Sequence, residues 1–333
     1  IKDKYGSNKA VYKLFPNRKY NNIHSFLVRN SGNDWSDGSS SAGVVFKDGL
    51  IQTIAEGQMD VDLMAYRPAI VFLNGQYWGI CDFREKLDKY YTNNNFKQVD
   101  MDSIEMVKQF WKGGDAVHNE PVEGDTVLMK AFFKFVRTSN MADNAKYQIA
   151  SDSIDIREFI NYIIVESFSN NIDWPVNNIK LWRQQGVSKW RWMVYDTDMG
   201  FGGFFPDAPE LPSPWYPNRT NIMQRAYEAY NDMKPANEYM GTWTSIVLGS
   251  LLKNTGFKNE FAQTYAAHMN STYLQARLNK ITDSIQKLVR PEMPRHIAKW
   301  GSSGSVQSMV RFDKNVNEIY GFITERYPLI WTQ

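Results

Sequence analysis

Three polar residues between Asn171 and Gly202 have the types and the order that phosphoryl transfer from a nucleotide needs. Asp173 follows a long apolar stretch, Asn178 comes five residues later, and Asp196 ends a second apolar stretch before a Gly-rich turn. In such chemistry one carboxylate accepts or orients the attacking hydroxyl, while a second carboxylate and an amide oxygen hold Mg²⁺ against the phosphates. The segment therefore predicts a magnesium-dependent phosphoryl-transfer site.

The spacing of these residues is also that of a protein-kinase catalytic loop, in which the catalytic Asp precedes a metal-binding Asn by five positions. In protein kinases the metal-binding Asp follows on a neighbouring hairpin, and Asp196 takes that place here after a somewhat longer hairpin. The structural alternative is that Asp173 and Asp196 shape turns while Asn177 and Asn178 bond to the backbone. The residues alone leave both interpretations open.

A calcium loop is a third interpretation, because Asp196 and Asp198 have the spacing of its first two ligands. An EF-hand needs Gly at its sixth position and Glu at its twelfth, and this chain has Phe201 and Asp207 there. The pattern therefore does not predict an EF-hand.

The elements that must position these residues are a helix, a loop and a hairpin. Asp155 and Glu158 form the pattern of a capping box, and a stripe of apolar residues at helical spacing follows. The helix is expected to end near Asn170, because Pro175 follows. Ile179–Arg183 and Trp190–Tyr195 are predicted to be the two strands of the hairpin.

The first hundred residues are predicted to be rich in β-structure. Asn74-Gly75 is a strong two-residue hairpin signal, flanked by the apolar runs Ala69–Leu73 and Gln76–Phe83. Ile23–Arg29 is a further β-prone run, and apolar spacing in Val44–Met64 predicts a helix.

The last third of the chain is predicted to be mostly helical, with Pro291 and Pro294 breaking the path between two helices. We therefore expect an α+β fold of two lobes in a single domain over 1–333. The β-rich N-terminal lobe would cover about 1–110, and the helical C-terminal lobe, with the catalytic loop and metal hairpin, about 111–333. The predicted helices outside the catalytic region are Thr126–Arg137, Phe257–Leu274, Leu274–Val289 and Val306–Arg326.

Composition excludes some classes of function. The formal charge is only +2 and no dense basic face is visible, which argues against a nucleic-acid partner. No run approaches the roughly 20 apolar residues that a membrane span needs. The chain begins without Met and without a signal-peptide pattern, so we expect targeting signals to have been removed.

Several segments, in this order along the chain, resemble the CotH kinase family, that is, atypical kinases similar to spore coat protein H. They are Arg29-Asn30-Ser31-Gly32-Asn33-Asp34, Leu73-Asn74-Gly75-Gln76-Tyr77-Trp78-Gly79-Ile80 leading to Arg84-Glu85-Lys86, Asp173-Trp174-Pro175-Val176-Asn177-Asn178, and Trp192 to Gly200. The resemblance covers about 5–202. It implies a divergent protein-kinase-like fold that binds ATP with Mg²⁺, or Mn²⁺ in its place, and phosphorylates Ser/Thr-type hydroxyls of a surface or spore-coat protein outside the cytoplasm.

The matching motifs also imply roles for individual residues. Asp173 would be the catalytic Asp and Asp196 the Mg²⁺-binding Asp. Asn178, or Asn177 in its place, would be the second metal ligand, and Asp198 could join the metal site.

Two further residues are predicted from what a kinase cleft needs, which is a cation on the phosphates and a carboxylate to hold that cation. Arg29 is the expected phosphate contact, and Glu85 is its expected partner or a metal residue. A structural ion pair or a hub of hydrogen bonds is an equally good account of both.

Two other classes of function compete with the kinase interpretation. Glu166 and Asp173, or Asp173 and Asp196, could be the paired carboxylates of a glycoside hydrolase. That interpretation leaves Asn178 and the Asp-Thr-Asp turn without a role. A non-catalytic surface or coat module is the other alternative, and the intact acidic residues argue only weakly against it.

Overall fold

The computed structural model describes residues 6, 9–35, 43–111, 117–202, 242–302, 304 and 306–331, and these residues form a mixed α+β fold. The strands are β1 (Ala10–Val11), β2 (Asn22–Ile23), β3 (Phe26–Arg29), β4 (Asp62–Leu63), β5 (Tyr66–Leu73), β6 (Gln76–Glu85), β7 (Ile104–Trp111), β8 (Val117–Glu123), β9 (Ile179–Gln184) and β10 (Arg191–Val194). The helices are α1 (Lys47–Ala55), α2 (Lys89–Asn95), α3 (Val127–Thr138), α4 (Asn144–Ser153), α5 (Ile156–Ser169), α6 (Trp243–Leu251), α7 (Thr255–Met269), α8 (Gln275–Val289), α9 (Met293–Trp300) and α10 (Met309–Ile330).

An antiparallel sheet of three strands, in the order β3-β6-β5, contains the hairpin predicted from Asn74-Gly75. Leu73 lies opposite Gln76, and both turn residues have positive φ, 51° for Asn74 and 78° for Gly75. Two consecutive positive φ angles are what a type I′ turn requires, which explains why Asn and Gly occupy it. The hairpin prediction is confirmed.

A second sheet of five strands, in the order β4-β10-β9-β7-β8, holds the hairpin predicted after residue 178. Its two strands pair antiparallel, with Trp192 opposite Leu181, and β4 adds to β10 in parallel. Strands β7 and β8 were not predicted from the sequence. This sheet contains β4 from before residue 110 and β9 from after it. The predicted division into an N-terminal lobe and a C-terminal lobe near residue 110 stays a prediction.

Helix α5 starts and ends where the sequence predicts. Asp155 caps it by accepting a hydrogen bond from the backbone N–H of Glu158 at 3.2 Å, and Asn170 ends it with φ of 51°. The second bond of the predicted capping box, from the backbone N–H of Asp155 to the Glu158 carboxylate, is not formed, so this part of the prediction is wrong. The Glu158 carboxylate instead accepts from the backbone N–H of Trp192 at 2.9 Å, because burial against β10 offers that donor. The contact joins the helix to the hairpin that follows it.

The helix predicted within Val44–Met64 is shorter than expected. It covers only Lys47–Ala55, and Asp62–Leu63 forms β4 instead. Leu50, Ile51 and Ile54 are buried as their spacing predicts. Beyond them, pairing with β10 determines the conformation, a tertiary effect that local periodicity does not contain.

The mostly helical C-terminal part is confirmed, and α8 ends at Val289, just before the two prolines that are predicted to break the helical path. Pro291 lies in a single 3-10 turn, and Pro294 lies in the first turn of α9. A proline in the first turn of a helix breaks no hydrogen bond, which allows the short helix α9, not predicted from the sequence, to begin there. None of the helices in the described ranges is long and apolar enough to cross a membrane.

Candidate functional site

Asp173, Asn178 and Asp196 lie together, where the loop after α5 meets the end of β10. The side-chain amide of Asn178 donates to Oδ2 of Asp173 at 3.1 Å and contacts the backbone oxygen of Asp196 at 3.4 Å. The amide of Asn177 also donates to Oδ2 of Asp173, at 3.4 Å. All four side chains are partly exposed. The fold thus brings the predicted catalytic and metal-binding residues to one surface.

The backbone at two of these residues lies in the left-handed region. Both Asn178 and Asp196 have φ of 57°. Asn and Asp are the side-chain-bearing residues that tolerate this conformation best, and such strain tends to be kept at functional sites.

Two buried residues fix the position of the loop that carries Asp173. Oδ1 of Asn171 accepts from the backbone N–H of Asp173 at 3.3 Å, and its amide donates to Oε2 of Glu166 at 2.9 Å. Burial raises the pKa of Glu166 to about 8. Because Glu166 is only 1% exposed, it supports the loop from the interior, which counts against its predicted alternative role as one of two hydrolase carboxylates.

Asp198 is buried beside Asp196, with one oxygen bonded and the other not. Its Oδ2 accepts from the backbone N–H of Asn33 at 2.8 Å, whereas Oδ1 has no hydrogen-bond partner within the described part of the chain. Burial, together with the charges of Asp196 and Asp48, raises the pKa of Asp198 well above its ordinary value. A cation bound at this point would favour the ionised form of Asp198.

Arg29, the predicted phosphate contact, lies among the carboxylates. Its Nη2 donates to Oδ1 of Asp196 and is 3.8 Å from Oδ2 of Asp198, and its Nη1 is 3.7 Å from Oδ2 of Asp48. The side chain remains 22% exposed. The three-stranded sheet thus supplies the site with a cation from the end of β3.

Asp48 and Arg84 belong to the same cluster and were missed in the sequence. Oδ1 of Asp48 accepts both the backbone N–H and the hydroxyl of Thr197, at 3.1 and 2.9 Å, and its Oδ2 is 3.1 Å from Nη1 of Arg84. Although burial opposes ionisation, Arg84 and Arg29 hold the pKa of Asp48 below its ordinary value. The pair positions the Asp-Thr-Asp turn. Asp48 lies outside every motif recognised in the sequence, and Arg84 lies in one without having been assigned a role.

Asp34 and Lys47 form a second buried pair behind this cluster. The Asp34 carboxylate accepts from the backbone N–H of Val44 and of Lys47, both at 2.9 Å, and lies 3.7 Å from the Lys47 ammonium. Burial raises the pKa of Asp34 to about 6 and lowers that of Lys47. Asp34 therefore ties the 3-10 turn at Gly32–Asp34 to the start of helix α1.

Glu85 lies away from these residues, in contrast to its predicted role. Its carboxylate accepts from Nε of Arg18 at 2.8 Å, from the side chains of Tyr20 and Asn95, and from the backbone N–H of Ala65. These contacts agree with the structural alternative. Alternation along β6 explains the difference, because neighbouring residues of a strand point to opposite faces and Arg84 takes the site-facing one.

Comparison with known proteins gives a family for the chain. No curated protein matches it. The family model described as CotH kinase protein matches residues 3–330, which is nearly the whole chain. The match extends the resemblance of the separate motifs through the helical C-terminal part. The chain belongs to the CotH kinase family.

Proposed function

We propose that this protein is an atypical protein kinase, which transfers the γ-phosphoryl group of Mg-ATP to a Ser/Thr-type hydroxyl of another protein. The observation that carries the proposal is the position of the Asn178 amide, which contacts both the Asp173 carboxylate and the backbone oxygen of Asp196. Asn178 thereby brings together Asp173 and Asp196, and two carboxylates with one amide are the groups that phosphoryl transfer needs. Membership of the CotH kinase family supports the same reaction.

The residues present fit a magnesium-bound nucleotide. Asp196, Asp198 and Asn178 (or Asn177) offer the hard oxygen ligands that Mg²⁺ prefers, and Oδ1 of Asp198 is buried without a hydrogen-bond partner among the described residues. No three His, Cys, Asp or Glu residues in the described ranges are grouped as a metal centre. That is compatible with Mg²⁺, which takes one or two carboxylates and completes its shell with phosphate oxygens and water.

Each residue would then have one role in the reaction. Asp173 would orient the acceptor hydroxyl and take its proton as the hydroxyl oxygen bonds to the γ-phosphorus, while the bond from the γ-phosphorus to the bridging oxygen breaks and ADP leaves. Asp196, Asp198 and Asn178 would hold the metal ion, which supplies charge neutralisation of the phosphate oxygens when bound. Asn171 would keep the Asp173 loop in register through its two hydrogen bonds.

The substrate we propose is a surface or spore-coat protein outside the cytoplasm. Family membership supports this class of substrate, since the CotH family is related to spore coats. A Ser- or Thr-containing acceptor follows from the proposed chemistry, in which Asp173 accepts a hydroxyl proton.

The direct test is phosphate transfer from γ-labelled ATP, with the chain itself and a Ser-rich acceptor protein as substrates. We expect Mg²⁺-dependent labelling by the wild type and none by Asp173→Asn. Equal labelling by both proteins would reject the assignment of Asp173. If the wild type binds Mg-ATP but labels nothing, the proposed reaction loses its support and a non-catalytic module becomes the better account.

A further inference from the structure

Arg29 neutralises the same carboxylates that the proposed function assigns to the metal ion. Its guanidinium donates to Asp196 and lies within 4 Å of both Asp198 and Asp48. A guanidinium and a divalent cation that share one carboxylate compete for its charge. A metal ion bound to Asp196 would therefore compete with Arg29.

The surroundings of Arg29 allow such a change without disturbing the core. The side chain is 22% exposed, whereas Arg84, the other cation on Asp48, is fully buried and 3.1 Å from that carboxylate. If Arg29 moves, Asp48 keeps Arg84 as its partner. The Asp-Thr-Asp turn would stay in place, since Asp48 also holds Thr197.

The backbone at Gly32 and Asn33 lies close to Asp198 and to the side chain of Arg29. A Cβ on Gly32 would lie well inside contact distance of Oδ2 of Asp198 and 3.0 Å from Nη2 of Arg29. The backbone N–H of Asn33 bonds to Asp198 at 2.8 Å. The absence of a side chain at Gly32 thus leaves the space that the Arg29 guanidinium and the Asp198 carboxylate occupy.

We propose that Arg29 is an exchangeable counter-ion, which neutralises Asp196 before a metal ion binds, yields that carboxylate to the divalent cation, and then contacts the nucleotide phosphates. The inference rests on the proposed function for its last step. Its first step, competition with the metal ion for Asp196, needs no nucleotide and can be tested separately.

The exchange predicts effects of opposite sign on two ligands when Arg29 is replaced. Removal of the guanidinium takes away a competitor of the metal ion, so free divalent cations should bind more tightly. It also takes away a phosphate contact, so the metal-nucleotide complex should bind more weakly. A residue with a purely structural role would weaken both, and a residue that only contacts phosphate would leave the metal affinity unchanged.

The experiment measures Mn²⁺ binding without nucleotide, by electron paramagnetic resonance, and Mg-ATP binding by calorimetry, for the wild type and Arg29→Gln. We expect Mn²⁺ to bind about fivefold more tightly to Arg29→Gln, which is the factor for losing one partly exposed ion pair. We expect Mg-ATP to bind about tenfold more weakly, as for loss of one charge-assisted contact.

Arg183→Gln is the matched control, since Arg183 is similarly exposed (18%) and pairs with Glu105 away from the site. It should leave both affinities unchanged. Arg29→Lys, which keeps a cation, should give intermediate values and serves as the second variant if Arg29→Gln does not fold.

Unchanged or weaker Mn²⁺ binding in folded Arg29→Gln would overturn the exchange. Absence of Mg-ATP binding in the wild type would reject the proposed function and the last step with it. In that case the Mn²⁺ measurement still decides whether Arg29 competes for Asp196.

Discussion

Thr197 donates both its backbone N–H and its hydroxyl to one oxygen of Asp48, a residue 149 positions earlier in the chain. The contact ties the first turn of α1 to the turn between Asp196 and Asp198. The same carboxylate contacts Arg84 from the three-stranded sheet. The geometry of the proposed metal site therefore depends on a residue that lies outside every motif recognised in the sequence.

Replacement of Asp48 by Ala should destabilise the fold strongly. It leaves the buried Arg84 guanidinium without its carboxylate, and breaking one side of a buried pair costs about 3–5 kcal/mol. Urea denaturation should show this loss, whereas Asp313→Ala, which breaks an exposed pair with Arg290, should have only a small effect on the free energy of unfolding. Equal losses of stability for the two variants would mean that the buried pair of Asp48 and Arg84 does not stabilise the fold.

Asp173→Asn should separate catalysis from binding. Loss of a general base lowers the transfer rate by about 10²–10⁴-fold, while the proposed metal ligands Asp196 and Asp198 are untouched. Calorimetry should therefore find Mg-ATP affinity close to that of the wild type. If the affinity fell as much as the rate, Asp173 would act in binding and the assigned roles would have to be exchanged.

Gly32→Ala should damage the site more than the fold. Gly32 has φ of 58°, and an added Cβ would press on Asp198 and Arg29. Gly57→Ala is the matched control, because Gly57 has φ of 70° but nothing within 4 Å of the added Cβ.

Both variants should lose about 1 kcal/mol of stability from the positive φ alone. Only Gly32→Ala should also lose Mg-ATP affinity in calorimetry. Full affinity in Gly32→Ala would show that the close approach of this loop to Asp198 has no part in binding.

Glu166→Gln should change how stability depends on pH. Burial raises the pKa of Glu166 from 4.5 to about 8, so the folded state holds this proton where the unfolded state has lost it. The contribution of Glu166 to stability is thus complete below about pH 4.5, decreases as pH rises through this window, and is constant above about pH 8.

Gln mimics the protonated carboxyl and removes the dependence. Denaturation midpoints should be similar for both proteins at pH 5, and the variant should be the more stable by at least ~1 kcal/mol at pH 9. The opposite order at pH 9 would indicate that the folded protein needs Glu166 ionised.

The local signals in the sequence were sufficient for two hairpins and for the start and end of α5. Asn74 and Gly75 both tolerate the positive φ angles that a two-residue hairpin turn needs. Asp155 caps α5 through a bond to Glu158, only three residues away. The cluster of Asp173, Asn178 and Asp196 could also be predicted, because a helix, a short loop and a hairpin leave few arrangements for them.

Long-range contacts could not be predicted in the same way. Asp48 meets Thr197 and Arg84 only through tertiary packing, and no motif in the sequence marks Asp48. Glu85 was selected in place of Arg84 because a motif shows that two neighbours matter but not which face of the strand each takes. Strand β7 gains its place by pairing between β8 and β9, which local periodicity does not express.

The measurement that tests the central claim most directly is calorimetric titration of the chain with ATP in Mg²⁺ and again in EDTA, for the wild type and Asp196→Asn. It does not require the protein substrate to be known. The account predicts saturable binding that needs the metal ion and is lost in Asp196→Asn. Absence of binding by the wild type in both conditions, or undiminished binding by Asp196→Asn, would contradict it.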